Sequence, residues 1–162
     1  MNGLRPHAPV LILTWGNPSR GDDALGPDLF DLLEKHKQES DDLIDVDLLT
    51  DFQLQIEHAV DLEQRDRVLF VDASVTCPAP FELTKLQADR DDSFTTHAMS
   101  PASVLAVYQQ INQREPPPSF LLSIRAYEFG LGLAMSAQAR ENLQLAYSYI
   151  IDGQWLEASR LI

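Results

Sequence analysis

Three residues in this chain combine a suitable type with a suitable place for chemistry. Asp23, beside Asp22, stands in the turn GNPSRGDDALG directly after an apolar run from Val10 to Trp15; Asp72 closes a second apolar run, VLFVDAS; His97 precedes a Ser-Pro helix start in TTHAMSP. Two carboxylates and an imidazole form a hard-to-borderline ligand set suited to Ni, Zn, Fe or Mn, with positions left open for water or substrate. Taken alone, the set is not specific. An acidic α/β protein offers many such trios, and a lone His ahead of a helix is more often a surface residue or a cap partner. Asp22 and Asp23 also have a plain structural use, because Asp is a favoured N-cap and negative charge is stabilised at a helix N-terminus. A phosphate cradle fits poorly, since the turn has no GxGxxG or GK[ST] pattern and two carboxylates would repel the anion.

These residues need elements that bring them to one place, and the pattern supplies them. Val10 to Trp15 is a short apolar run ended by Gly16, Asn17 and Pro18, which reads as a buried strand entering a turn. From Ala24 to Lys37, Leu25, Leu29, Leu32 and Leu33 share one helical face. Leu43 to Leu49 alternates apolar with acidic, the period of a half-exposed strand near a sheet edge, with Thr50 and Asp51 as a cap-like junction and Phe52 to Leu62 as a short helix. Arg67 to Ala73 is the clearest central strand, and Asp72 lies at its C-terminal end. Phe81 to Leu86 predicts a further strand. Ser100 and Pro101 predict an N-cap and first turn for a helix whose stripe is Val104, Leu105, Tyr108 and Ile111. Pro116 to Pro118 stop that helix; Ser119 to Ala126 reads as the last strand, Glu128 to Met135 as a loop, and Ser136 as the cap of a final helix to about Ile151, which Gln154 to Ile162 could extend.

Strands alternating with helices argue for an α/β fold in three layers, a parallel-dominated twisted sheet with helices on both faces, formed by residues 1–162 as one domain. The strand-to-helix junctions carrying Asp23, Asp72 and His97 would then gather at one end of the sheet, where open α/β sheets keep their sites.

Composition narrows the partners. Twelve basic against twenty-five acidic residues give a formal charge of −13, which repels nucleic acid and anionic membranes alike and leaves proteins, small molecules or cations. No apolar run approaches a membrane span and residues 1–9 lack a signal-peptide core, so a soluble cytoplasmic protein is expected. Cys77, the single cysteine, excludes an internal disulfide and a thiolate cluster, and beside Pro78 it reads as a small apolar residue. The chain has no His-Glu-x-x-His helix and no Gly-x-Ser-x-Gly elbow.

Taken together, GNPSRGDDALGP in the first turn, VLFVDAS in a central strand and TTHAMSP before a later helix resemble the nickel-iron hydrogenase maturation endopeptidases, over roughly Val10 to Tyr149. The QLQIEHAVDL segment looks most like the branch serving soluble, bidirectional NAD-reducing hydrogenases. The resemblance implies a phosphorylase/hydrolase-like α/β fold. It also implies a protease that removes a C-terminal extension from the hydrogenase large-subunit precursor after nickel insertion, recognising nickel already held by that substrate. The family's metal ligands are an acid in a GNxxxxD[DE] turn, an Asp ending a central strand and a His before a helix, which match Asp23, Asp72 and His97. Many members carry Asp-Gly-Gly-Thr after the second strand; here Asp51, Phe52, Gln53 and Leu54 keep the acid without the glycines, and Asp51 is the implied catalytic acid or base. Rival readings from the residues are a nickel-binding chaperone that contacts the large subunit without cutting, a peptidyl-tRNA hydrolase, whose first turn also begins Gly-Asn-Pro, and a flavodoxin-like binding domain. The negative charge opposes the second, and the missing Ser/Thr-rich phosphate loop opposes the third.

Overall fold

Every second residue of the two most apolar strands belongs to a different core, which is what a sheet buried on both faces requires. In β1 (Val10–Trp15) and β3 (Arg67–Ser74), Leu11, Leu13, Val68 and Phe70 face one side, while Ile12, Leu69 and Val71 face the other. The computed structural model describes residues 7–89 and 99–162. Within them the sheet has five strands in the order β2-β1-β3-β5-β4, where β2 is Val46–Asp51, β4 is Phe81–Lys85 and β5 is Ser119–Arg125. β1, β2, β3 and β5 run parallel, and β4 lies antiparallel on the outer edge of β5.

The first face is covered by α1 (Leu25–Glu39), α4 (Ala137–Ile151) and α5 (Gln154–Ser159) through Leu25, Leu29, Leu33, Leu143, Ala146, Ile150 and Trp155. The second carries α2 (His58–Asp61) and α3 (Pro101–Asn112) through Ala59, Val104, Leu105 and Tyr108, joined by Leu54 and Leu62. The three-layer, parallel-dominated architecture expected from the sequence is therefore the one adopted. Among the described residues no helix is long and apolar enough to cross a membrane.

Several local expectations are corrected. β2 begins three residues later than the apolar-acidic alternation suggests, because Val46 pairs with Val10 and the preceding residues are spent in a turn closed by Val46 N–H on Leu43 O. Asp51 is thereby the last residue of the strand rather than a junction beyond it. The helix expected over residues 52–62 shrinks to the single turn of α2, since Leu54 is drawn into the second core ahead of it. Ile111 is 60% exposed, one turn beyond the buried stripe of α3. Gly153, at φ +74°, breaks the last helix and turns the tail into α5, which inserts Trp155 beside Phe120.

Candidate active site

The chain leaves β1 through α1 on one face to reach β2, then crosses the other face through α2 to reach β3 on the opposite side of β1. β1 and β3 thus flank a topological switch point, where α1 and α2 diverge and open a crevice at the C-terminal ends of the strands. Asp72 lies at this end of β3, one residue past Val71, the partner of Thr14, and the β1 turn carrying Asp23 leaves the sheet beside it. On the other side of β1, Asp51 pairs with Trp15. Strand alternation turns Asp51 and Asp72 toward the same face as Trp15, the face of α2 and α3.

The β1–α1 turn is held partly by its own atoms and partly by the β5–α4 loop, where the Gly21 N–H donates to Leu133 O and the Gly132 N–H to Ser19 O. Asp23 Oδ2 accepts the Asn17 N–H at 2.6 Å, and Asn17 Oδ1 accepts the Ser19 N–H at 2.9 Å. Gly16 has φ +150°, and a Cβ there would stand 2.1 Å from the Asp23 carbonyl oxygen, so a side chain is excluded where the turn folds back on itself. Neither Asp22 nor Asp23 caps a helix: the 3-10 turn Gly21–Ala24 and α1 both begin without a side-chain cap bond.

Asp22 has a different task. Fully buried, it accepts Tyr127 N–H and Glu128 N–H on Oδ2 at 2.7 and 3.0 Å, Ser136 N–H on Oδ1 at 2.7 Å, and the Ser136 hydroxyl on Oδ2 at 2.8 Å. Burial pushes its carboxyl up, but these four bonds together outweigh it and hold Asp22 below the ordinary carboxylate value. It ties the first turn to the β5–α4 loop and has little capacity left for a ligand.

Asp72 presents the opposite balance. Burial is the main influence, a hydrogen bond from the Ala73 backbone opposes it, and the nearby charge of Asp23 adds to it, so that Asp72 rises from 3.8 to about 7. Two carboxylates close enough to feel each other, one of them desolvated and with little compensation from the protein, form an arrangement whose charge a cation would offset. The donor chemistry suits a borderline divalent metal, with oxygen ligands from two adjacent strands' ends. His97 lies outside the described residues, and among the described residues no three His, Cys, Asp or Glu side chains are grouped as a complete metal site.

At the end of β2, Asp51 Oδ1 accepts the Phe52 N–H at 2.7 Å, and Asp51 Oδ2 lies 3.3 Å from Nε2 of His58. His58 is not singled out by the sequence, because its spacing from Asp51 matches no ligand or triad pattern. The burial of Leu54, Ala59 and Leu62 in the structure fixes the loop that places it. Around this rim, Phe52 is 65% exposed at the end of β2, and Leu131 is 71% exposed in the loop after β5.

No family model and no curated protein matches the chain, but solved structures do. A [NiFe] hydrogenase maturation protease, HycI, from Thermococcus kodakarensis superposes with a TM-score of 0.69 at 20% identity, covering 91% of this chain and 92% of that one. The hydrogenase maturating endopeptidase HybD of Escherichia coli gives 0.64 at 20% identity, over 87% and 88% of the two chains. A hydrogenase 2 maturation peptidase from a Thaumarchaeota archaeon gives 0.62 at 22% identity, over 90% and 97%. The chain thus shares, over nearly its whole length, the fold of these maturation proteases.

Proposed function

We propose that this protein is an endopeptidase that removes the C-terminal extension of a [NiFe] hydrogenase large-subunit precursor. It acts as a single catalytic domain in the cytoplasm, on a precursor that already carries nickel. The observation that carries this reading is the placement of Asp72, desolvated and raised to about 7, within reach of the charge of Asp23, an arrangement that favours a cation. The likeness of fold to three maturation proteases and the motifs of the first turn, β3 and TTHAMSP point the same way. Exposed Phe52 and Leu131 around the crevice suit a protein substrate better than a small one.

In this reading Asp23, Asp72 and His97 engage the nickel borne by the substrate, so that only a loaded precursor is seated with its C-terminal tail across the rim. Asp51, at the same strand ends, takes a proton from the attacking water or returns one to the leaving amine. The substrate proposed is the large subunit of a soluble, NAD-reducing hydrogenase, the branch that the QLQIEHAVDL segment most resembles.

The test is incubation of the purified protein with nickel-loaded and nickel-free precursors, following the substrate's C-terminus by mass spectrometry. Tail removal from the loaded form alone, lost in Asp72→Ala, is the expected result. Equal cleavage of both forms would overturn the nickel requirement. Tight association without any cut would replace the protease by a chaperone of the large subunit.

A further inference from the structure

We infer that His58 is a positioning residue that holds the carboxylate of Asp51 in one orientation at the end of β2. The inference rests on the protease reading above and extends it to a residue that the sequence motifs leave unassigned.

The argument starts from the imidazole's other nitrogen. The Gln55 N–H donates to His58 Nδ1 at 2.8 Å, while the His58 N–H donates to Gln55 O at 3.0 Å. This reciprocal pair makes Nδ1 an acceptor, so in the neutral ring the proton resides on Nε2, the nitrogen that faces Asp51 Oδ2 at 3.3 Å. His58 is only 7% exposed, and Leu54, Ala59 and Leu62 pack the loop on either side of it against Leu11, Leu13 and Val68. The ring is therefore fixed by backbone and core contacts, with its Nε2 edge set 3.3 Å from one oxygen of Asp51.

The other oxygen is fixed as well. Oδ1 takes the Phe52 N–H at 2.7 Å, and the Asp51 carbonyl accepts the Gly16 N–H at 3.1 Å, which ties the residue to the start of the β1 turn. Oδ1 thus has a backbone donor, Oδ2 faces the imidazole at 3.3 Å, both keep acceptor capacity, and the Asp51 side chain remains 38% exposed. Such a carboxylate is oriented by the Phe52 N–H and the imidazole beside it yet open to a water or a substrate amide, the condition that a general base requires. Nδ1 is engaged with Gln55, so His58 is not arranged to pass a proton onward; its part is geometric. The Phe52-Gln53-Leu54 loop contains no glycine, and it is this anchored loop that carries the imidazole to the carboxylate.

Two substitutions separate this role from a structural one. His58→Asn retains an acceptor for the Gln55 N–H but cannot reach Asp51; His58→Gln places an amide N–H where Nε2 stood. With nickel-loaded precursor, His58→Asn should lower kcat about ten- to a hundred-fold with KM little changed, and His58→Gln should recover most of the loss. In an Asp51→Asn background, His58→Asn should have no further effect. Unchanged kcat in His58→Asn would overturn the inference while leaving the protease reading intact, as would equal losses in both variants accompanied by a lower melting temperature. Absence of cleavage by the unaltered protein would overturn the protease reading and, with it, the catalytic role of the pair. Independently of activity, NMR of the imidazole nitrogens should show a protonated Nε2 and a bare Nδ1; the opposite tautomer would overturn the inference.

Discussion

Asp22, buried between the first turn and the β5–α4 loop, and Asp72, at the end of β3, are the same residue type, and the protein treats them in opposite ways. Both lose hydration. Around Asp22 three backbone N–H groups and a hydroxyl converge, and its carboxyl is held low. Around Asp72 a single backbone bond opposes burial and the charge of Asp23, and its carboxyl rises to about 7. A desolvated acid that is fully bonded belongs to the framework. One whose bonds fall short stays poorly stabilised as an anion, the balance that perturbed groups at functional sites show.

The largest effect should come from breaking the first of these regions. Asp22→Ala strands three backbone N–H groups in a buried site and should lower the unfolding free energy by about 3–5 kcal/mol, read from denaturant titration. A loss below about 1 kcal/mol would mean that the junction between the first turn and the β5–α4 loop is held by other contacts. Ser136→Ala should follow at about 2 kcal/mol, because the hydroxyl both donates to Asp22 at 2.8 Å and accepts the Ala139 N–H at 3.2 Å as the α4 cap.

The second region should respond with the opposite sign. A carboxyl whose value is raised on folding is unfavourable to the folded state once ionised; its penalty is absent below 3.8 and grows as pH rises to about 7. Asp72→Asn should therefore stabilise the protein by about 1–2 kcal/mol near pH 8 while leaving it almost unchanged near pH 4, even as the proposed cleavage is lost. A destabilised Asp72→Asn at the higher pH would erase the contrast. The smallest expected effect concerns Asp22 under acid. Its lowered value makes its contribution complete above 3.8 and lost as pH falls through the folded value, so the gap between the parent protein and Asp22→Asn should narrow in melts run below about pH 4.

Which features could be read from the residues follows from the range of the interactions that fix them. β1, β3 and β5 are legible because each is a short apolar run bounded by turn residues, and α3 and α4 because Ser100 and Ser136 accept from the N–H groups of Ser103 and Ala139 as caps do. The edge strand β2 is misplaced by the alternation because its register depends on pairing with β1 and on Asp47, which anchors Ala8 N–H and the buried guanidinium of Arg65. Asp22 was legible as a helix cap and is instead an acceptor for groups more than a hundred positions away, as the 105- and 114-residue separations of its bonds record. The placement of Asp23 and Asp72 together needed only the strand order. The imidazole of His58 at Asp51 needed the packing of Leu54, Ala59 and Leu62, which no local pattern encodes.

The strand order has a further consequence for how the molecule comes into being. β5 is the last strand in sequence but sits inside the sheet, bridging β3 to β4, and α3 separates it in the chain from both. A nascent chain emerging from the ribosome would hold β3 with one ladder edge open and β4 with no strand beside it until Ser119–Arg125 arrived. The apolar edge that later lies at the heart of the sheet is the one exposed longest during synthesis. Chains cut short before Ser119 should accordingly be the aggregation-prone ones.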